Sequence, residues 1–406
     1  MDIQITPHAL SGSVTPPSSK SMAHRRLFAA ALSQGESLIR GVTASQDVEA
    51  TIACLTRLGA AFQQSAPDVI RVRGVAPDAD FEALPQFDCG ESGSTLRFLI
   101  PVALAVAGGG IFTGRGRLME RPQQPYFDLF DKKGIAHSLE NGVLTVRGAL
   151  APGAFALPGN VSSQFFTGLL FALSLLDGES TLESTTPLES AAYVDMTVAA
   201  LRDIGGAVEV LDAGRYRVSP ARLHCADSTV EADWSQAAFW YASSFLTQPL
   251  QIENLDNASA QGDRVIAQLY WKLAKPGDVE IDLSGCPDLL PPLAVMAAAR
   301  RGTTRFVGAA RLRLKESDRL KTTAAMVNAL GGQAEELAEG LVLRGIPTLS
   351  GGTVDGAGDH RIVMAAAIAA TACANPVTIL GAEAVNKSYP SFFQEFERLG
   401  GLARVI

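Results

Sequence analysis

The sequence predicts an α/β protein of two domains, each assembled from three copies of one helix-and-strand unit. Three observations carry this reading. The chain has 406 residues, and at ~150 residues per domain two or three domains are expected. Apolar helices, each preceded by a small polar or acidic residue, recur six times. A second, more amphipathic helix follows each of them, and short alternating stretches with polar turns come next.

The first helix series begins at 18-SSKSMAHRRLFAAAL, 90-GESGSTLRFLIPVALA, 159-GNVSSQFFTGLLFALSLL, 232-ADWSQAAFWYASSFL, 287-PDLLPPLAVMAAA and 358-GDHRIVMAAAIAATA. Successive starts lie 72, 69, 73, 55 and 71 residues apart. Ser, Asp or Asn ahead of the apolar run supplies the acceptor that unpaired helix N–H groups need. The second series begins at 45-SQDVEA, 121-RPQQPY, 193-YVDMTV, 262-GDRVIA, 316-ESDRLK and 389-YPSFFQ. Most of its members end in a Leu/Ile-Gly step, where glycine takes the left-handed conformation of a helix C-cap. Stretches such as 207-AVEVLDAGRYRVSP-220 and 334-AEELAEGLVLRGI-346 then alternate as hairpin strands do. The apolar helix of each unit belongs inside and the amphipathic one against a sheet. The short 55-residue interval predicts that the fourth unit lacks strands.

Composition excludes several classes. Hydrophobic residues at 47% and charged residues at 19% rule out a disordered chain or a coiled coil. The longest apolar runs, such as 363-VMAAAIAATACA-374, fall short of the ~18 residues of a membrane span, so no membrane association is expected. Thirty-four Lys+Arg against 42 Asp+Glu give a net charge of −8, which argues against nonspecific nucleic-acid binding. No basic stretch followed by an apolar core opens the chain, so no secretory signal is expected. Five scattered cysteines without C-x-x-C spacing suit a reduced, cytoplasmic compartment. Five histidines without H-x-x-x-H or H-x-H pairs predict no built-in metal site.

The informative feature is where the cations lie. Lys20, Arg25, Arg97, Arg121 and Arg361 stand in or beside helix starts; Lys315 and Arg319 bracket Glu316 and Asp318; Lys387 precedes Ser388-Tyr389-Pro390. Helix N-termini carry free N–H groups and partial positive charge, so phosphate and carboxylate bind there. The pattern predicts a small, multiply anionic ligand. Each motif alone also has a plain structural reading. The 18-SSKSMAHR-25 stretch is then a capped helix with solvated cations, Ser162-Ser163-Gln164 an N-cap, and Asp288 another cap. KESDR (315–319) would be an exposed face with i,i+3 and i,i+4 pairs. Recurrence at equivalent places in a repeat favours the ligand reading.

Taken together, Lys20-Ser21-x-x-x-Arg25, Gly93 within GESGSTLR, Glu120-Arg121-Pro122, SSQF (162–165), Tyr193-Val194-Asp195-Met196-Thr197, KESDR (315–319), DHR (359–361) and KSYP (387–390) resemble the ordered motifs of the 5-enolpyruvylshikimate-3-phosphate synthase family. The match spans nearly the whole chain. It implies the two-domain inside-out α/β barrel of enolpyruvyl transferases, with six βαβαββ-type repeats, the fourth shortened here, and domains hinged around a cleft. The implied domains are 20–229, on the shikimate 3-phosphate side, and 1–19 plus 230–406, carrying the phosphoenolpyruvate clamp and the proton-transfer residues. The implied reaction moves the enolpyruvyl group of phosphoenolpyruvate to the 5-hydroxyl of shikimate 3-phosphate, by addition and elimination, with no cofactor or metal. A cytoplasmic monomer with small-molecule substrates as its only partners is the accompanying expectation.

The resemblance also assigns residues. Ser21 and Arg25 match contacts to the shikimate carboxylate. Ser162, Ser163, Ser190 and Lys315 match the residues on its phosphate, with Gln164 and Tyr193 along the ring. Lys20, Arg121, Arg319, Arg361 and Lys387, with the Gly93 backbone and Gln164, match the phosphoenolpyruvate clamp. Asp288, Glu316 and Lys20 match the proton-transfer groups. The planar guanidinium suits oxyanions because it meets them bidentately. Two departures stand out: Ser190-Ala191-Ala192-Tyr193 replaces Ser-x-Pro-Tyr, and Arg311 stands where the family often has asparagine.

Two rival readings remain. The UDP-N-acetylglucosamine enolpyruvyl transferases share this fold and chemistry, but have Lys-Asn in place of Lys20-Ser21. They also have a cysteine in the loop matching 112-FTGRGRLMERPQQP-125, which contains none. A non-catalytic sugar-phosphate binder of the same fold should have lost Lys20, Asp288 or Glu316, and all three are present.

Overall fold

Among the described residues, six apolar helices and six partners form in sequence order. The computed structural model describes residues 1–76 and 79–406. They divide into two compact units, Ser18–Glu231 and Met1–Pro17 with Ala232–Ile406.

The Ser18–Glu231 unit holds three helix pairs: α1 (Lys20–Leu32) with α2 (Gln46–Arg57), α3 (Gly93–Ala107) with α4 (Gln124–Lys133), and α5 (Ser163–Leu173) with α6 (Ala191–Asp203). The other unit holds α7 (Trp234–Leu246) with α8 (Ile266–Ala274), α9 (Leu290–Ala299) with α10 (Arg319–Ala329), and α11 (His360–Ala370) with α12 (Phe392–Arg398). Side chains cap the starts as their chemistry predicts. Ser19, Ser45, Ser92 and Ser162 accept N–H bonds from α1, α2, α3 and α5, and Asp233, Asp318 and Asp359 do so for α7, α10 and α11. Gly134 ends α4 at φ +68°, the conformation a Cβ would oppose.

The first helix of each pair is the core element. Every residue of α11 is buried, as is α9 from Leu290 to Ala298. The second is one-sided: α2 buries Asp47, Val48, Thr51, Cys54 and Leu55, an i, i+4 stripe. Each unit has its own apolar core.

One sheet pattern repeats. In the second repeat, Gln86–Asp88 runs parallel to Gly109–Thr113 across α3, and the hairpin Ala136–Glu140/Val143–Arg147 adds antiparallel strands. The same order of one parallel and two antiparallel pairings recurs in five four-stranded sheets. The first repeat takes its parallel partner from Ser228–Thr229, and the sixth borrows Ile3–Thr6 for its antiparallel strand. Among the described residues the sixth sheet has two strands, Ser13–Val14 parallel to Gln251–Ile252. The fourth repeat therefore lacks its hairpin among the described residues, as the short interval predicted. On its α8, Trp271 is 69% exposed.

Candidate functional site

The charged residues singled out from sequence gather at helix starts within each unit. In the Ser18–Glu231 unit, Lys20 opens α1 and places Nζ 2.6 Å from Oδ2 of Asp47, in the first turn of α2. One turn on, Arg25 is 2% exposed. Its Nε and Nη2 donate to the Tyr193 carbonyl at 3.1 and 2.8 Å and to the Thr197 and Thr167 hydroxyls, and Nη1 donates to the Ser21 carbonyl at 2.6 Å. Burial pulls this guanidinium down to about 10.

The start of α3 is built around a bare backbone. A Cβ on Gly93 would sit 2.6 Å from Nη1 and 2.9 Å from Cζ of Arg121, so the guanidinium lies directly over this position. Arg121 is 7% exposed, and its Nε has no hydrogen-bond partner among the described residues. Gln164, in the first turn of α5, accepts from Arg97 Nη1 at 2.9 Å and donates to Ser94 Oγ at 3.0 Å. The Arg97 guanidinium also lies 4.7 Å from the Phe165 ring centroid and donates to the Pro122 carbonyl. Ser162 caps α5 with its hydroxyl and Ser163 is buried beside it. Ser190 precedes α6 at φ +54°, a conformation rare for a side-chain-bearing residue and concentrated at functional positions.

In the other unit one partly buried network holds most of the expected residues. Asp288 lies in the turn Pro287–Leu289 before α9. Its Oδ1 accepts from Arg319 Nη1 at 2.7 Å and Lys315 Nζ at 3.3 Å, and its Oδ2 from Arg361 Nη2 at 3.0 Å. Arg319, at the start of α10, also donates to Glu316 Oε2 at 2.6 Å and through Nε to Asp359 Oδ2 at 2.8 Å. Asp359, fully buried, additionally accepts from Ser317 Oγ at 3.0 Å and from the Arg361 backbone N–H at 3.0 Å. Lys387 donates to the Gly358 carbonyl at 2.7 Å.

Charge follows from these contacts. Burial pushes the Asp288 carboxyl up, but Arg361, Lys315 and Arg319 outweigh it and hold the group well below the usual carboxylate range. The same contest, won by Arg319, keeps Asp359 low. Burial brings the Lys315 ammonium down to about 8, against the pull of Asp288. Asp263, buried with Ser235 donating to it, is pushed up to about 6 by burial and by the Asp288 charge. Oriented cations, two low carboxylates and helix N-termini make an arrangement chemically suited to holding oxyanions and exchanging protons.

Comparison with known proteins decides the family. A model of the EPSP synthase (3-phosphoshikimate 1-carboxyvinyltransferase) family matches residues 5–396. The chain belongs to the EPSP synthase family. It is 41% identical over 417 residues to the 3-phosphoshikimate 1-carboxyvinyltransferase of Clostridium acetobutylicum, covering 98% of this chain and 97% of that protein. With the corresponding enzyme of Clostridium novyi it shares 40% identity over 430 residues, 99% and 98% of the two chains. The EPSP synthase structure of Acinetobacter baumannii has the same fold, with a TM-score of 0.80, 22% identity and full coverage of both chains. An enolpyruvyl transferase structure of Streptomyces tendae matches with a TM-score of 0.78 and 19% identity over 99% and 98% of the two chains.

Within this EPSP synthase family chain, Asp288, Lys315, Glu316, Arg319 and Arg361 are joined by direct ion pairs, and Lys387 sits one residue from Asp359 through Gly358. Gly93 and Arg121 touch, Gln164 is tied to the α3 turn through Ser94, and Ser21, Arg25 and Tyr193 share one hydrogen-bonded cluster. Sequence reasoning passed over Asp47, Asp359 and Asp263 as site members. Asp47 and Asp359 each stand at a helix start, where in sequence they read only as a first-turn acid and an ordinary cap. Arg311, the departure from asparagine, is buried and donates to the Ser284 carbonyl.

Proposed function

We propose that the chain transfers the enolpyruvyl group of phosphoenolpyruvate to the 5-hydroxyl of shikimate 3-phosphate, releasing phosphate, in the shikimate pathway of aromatic amino-acid biosynthesis. The observation that carries the reading is the Asp288–Arg319–Glu316 ion-pair cluster around a buried arginine, in a chain 41% identical to a 3-phosphoshikimate 1-carboxyvinyltransferase over 98% of its length. Each unit is read as an inside-out α/β barrel, and the enzyme as a cytoplasmic monomer. No helix among the described residues is long and apolar enough to cross a membrane.

In this reading Asp288 takes the proton of the attacking 5-hydroxyl as its oxygen bonds to C2 of phosphoenolpyruvate. Glu316 supplies a proton to C3, giving a tetrahedral adduct, and takes one back as the C2–O bond to phosphate breaks. Lys20 protonates the departing phosphate. Arg121, Arg319, Arg361, Lys387 and the Gly93 backbone hold phosphoenolpyruvate, with Gln164 and Lys20 beside it. Ser21, Arg25, Ser162, Ser163, Gln164, Ser190, Tyr193 and Lys315 hold shikimate 3-phosphate. Preorganised donors facing developing negative charge supply the electrostatic part of catalysis.

Phosphate release on mixing the protein with both substrates tests the reading directly. Release with phosphoenolpyruvate and UDP-N-acetylglucosamine instead would install the rival transferase. Two further results are expected. Because burial brings the Lys315 ammonium down to about 8, the Kd for shikimate 3-phosphate should rise as pH passes through 8 in the wild type. In Lys315→Met it should be weaker and flat between pH 7 and 9, read by calorimetry. Gly93→Ala should drive Arg121 aside, since the new Cβ has no room beside Nη1. A charge-assisted hydrogen bond contributes about 1.5–3 kcal/mol, so KM for phosphoenolpyruvate should rise roughly 10- to 150-fold, with KM for shikimate 3-phosphate little changed.

A further inference from the structure

His24 is wholly buried and has no part in the chemistry above, yet it heads a chain of side-chain hydrogen bonds that crosses three helices. His24 Nδ1 lies 2.7 Å from Thr51 Oγ1, Thr51 Oγ1 lies 2.6 Å from Thr95 Oγ1, and Thr95 Oγ1 donates to Ser92 Oγ at 2.7 Å. All four residues are at most 0% exposed. His24 is on α1, Thr51 on α2, Thr95 on α3, and Ser92 caps α3 next to Gly93.

Counting protons gives the chain a direction. A hydroxyl donates once. Thr95 spends its proton on Ser92, so Thr51 must be the donor in the Thr51–Thr95 pair. Thr51 has then spent its own proton, so His24 Nδ1 must carry the hydrogen that Thr51 accepts. Burial, with Lys20 and Arg25 nearby, holds His24 well below its usual titration range, so the ring is neutral. Nε2 is therefore a bare acceptor, and it has no hydrogen-bond partner among the described residues. The ring stands edge-on to Phe98, with centroids 6.5 Å apart. Leaving a buried acceptor unpaired is unfavourable, so the geometry sacrifices one ring nitrogen to keep the other in the chain.

The location suggests what the chain holds. His24 is four residues after Lys20 on α1, and Thr51 is four residues after Asp47 on α2. The Lys20–Asp47 ion pair at 2.6 Å and the His24–Thr51 hydrogen bond are thus successive rungs between the same two helices. The last link fixes the cap residue beside the Gly93 backbone. We infer that the directional relay His24→Thr51→Thr95→Ser92 is a positioning device, which sets α1 against α2 and α3 so that Lys20 and the Gly93 turn are held in place together. The inference rests on the proposed roles of Lys20 and Gly93, and His24 acts through them without touching substrate.

The test has a structural and a kinetic arm. In protein labelled with 15N at histidine, the His24 signal, identified by its loss in His24→Asn, should be that of a neutral ring protonated on Nδ1. In Thr51→Val that ring should lose this fixed tautomer. In steady-state assays Thr51→Val and His24→Leu should each lower kcat/KM for phosphoenolpyruvate about 10- to 100-fold, in line with the cost of small misplacements. Thr51→Ser and His24→Asn, which keep a hydroxyl and an N–H donor, should stay within about threefold of wild type. The double variant His24→Leu/Thr51→Val should be no worse than either single one, because both break the same chain. An Nε2–H tautomer overturns the relay, and so does full activity in folded Thr51→Val or a loss in Thr51→Ser equal to that in Thr51→Val. Absence of phosphate release from the wild type would sink the enzymatic reading instead, and the tautomer measurement would still decide the relay.

Discussion

Asp288→Asn should slow turnover by about 10²–10⁴, the usual contribution of a positioned general base, while KM for phosphoenolpyruvate stays level or falls. The split follows from what Asp288 does in the structure. Its two oxygens accept from Arg319, Arg361 and Lys315, the cations proposed to bind the substrate anions. The carboxylate therefore competes with those anions. An amide of the same shape cannot take a proton from the 5-hydroxyl, but it also stops competing for the arginines. With those cations drawn onto the substrates, the carboxyl of the wild type is less depressed and becomes a better base. Steady-state kcat and KM for both substrates read the outcome. A raised KM with unchanged kcat would make Asp288 a binding group and remove it from proton transfer.

Arg319→Met should destabilise its unit by about 3–5 kcal/mol, the scale for removing one partner of a buried ion pair. Arg319 is 1% exposed and Asp359 0%, and the same guanidinium also meets Asp288 and Glu316. Methionine would fill much of the volume while leaving Asp359 without its main counter-charge and removing one of the cations on Asp288 and Glu316. The pH dependence has a definite sign. Asp288 and Asp359 have folded-state pKa values below the ordinary carboxylate value. Their contribution is present above the unfolded pKa and is lost as pH falls through the folded one. The deficit of Arg319→Met should therefore be full at neutral pH and shrink in acid below about pH 4. The chain has three tryptophans, 234, 240 and 271, and all lie in the unit that holds Arg319. Urea unfolding followed by tryptophan fluorescence isolates the effect. A loss under 1 kcal/mol, or one independent of pH, would mean that the remaining cations compensate these carboxylates without Arg319.

Much of the architecture could be read from the chain. The helix starts recurred where caps and apolar runs predicted, and the 55-residue interval marked the repeat that has lost its hairpin. The change from Ser-x-Pro-Tyr at Ser190 coincides with a left-handed residue, a local conformation that a local motif can flag. KESDR was harder. Its alternating charges fit an exposed helix face equally well, and only the structure buries Arg319 against Asp359, 40 residues away. Asp47 was invisible for the same reason, since its bond to Lys20 spans 27 residues and two helices. The direction of the His24 chain lies beyond any motif, because it depends on four side chains from three helices meeting in one buried row.

The number of repeats, their helix pairs and the missing hairpin were determined by sequence alone, because capping, helical periodicity and turn chemistry act over a few neighbouring residues. The family was legible too, through the order of its motifs. Which charges meet, which carboxylates stay ionised and which nitrogen of His24 carries its proton were decided only by tertiary structure. Coulombic and hydrogen-bond energies depend on distance and burial, and those are settled by how helices tens of residues apart pack together.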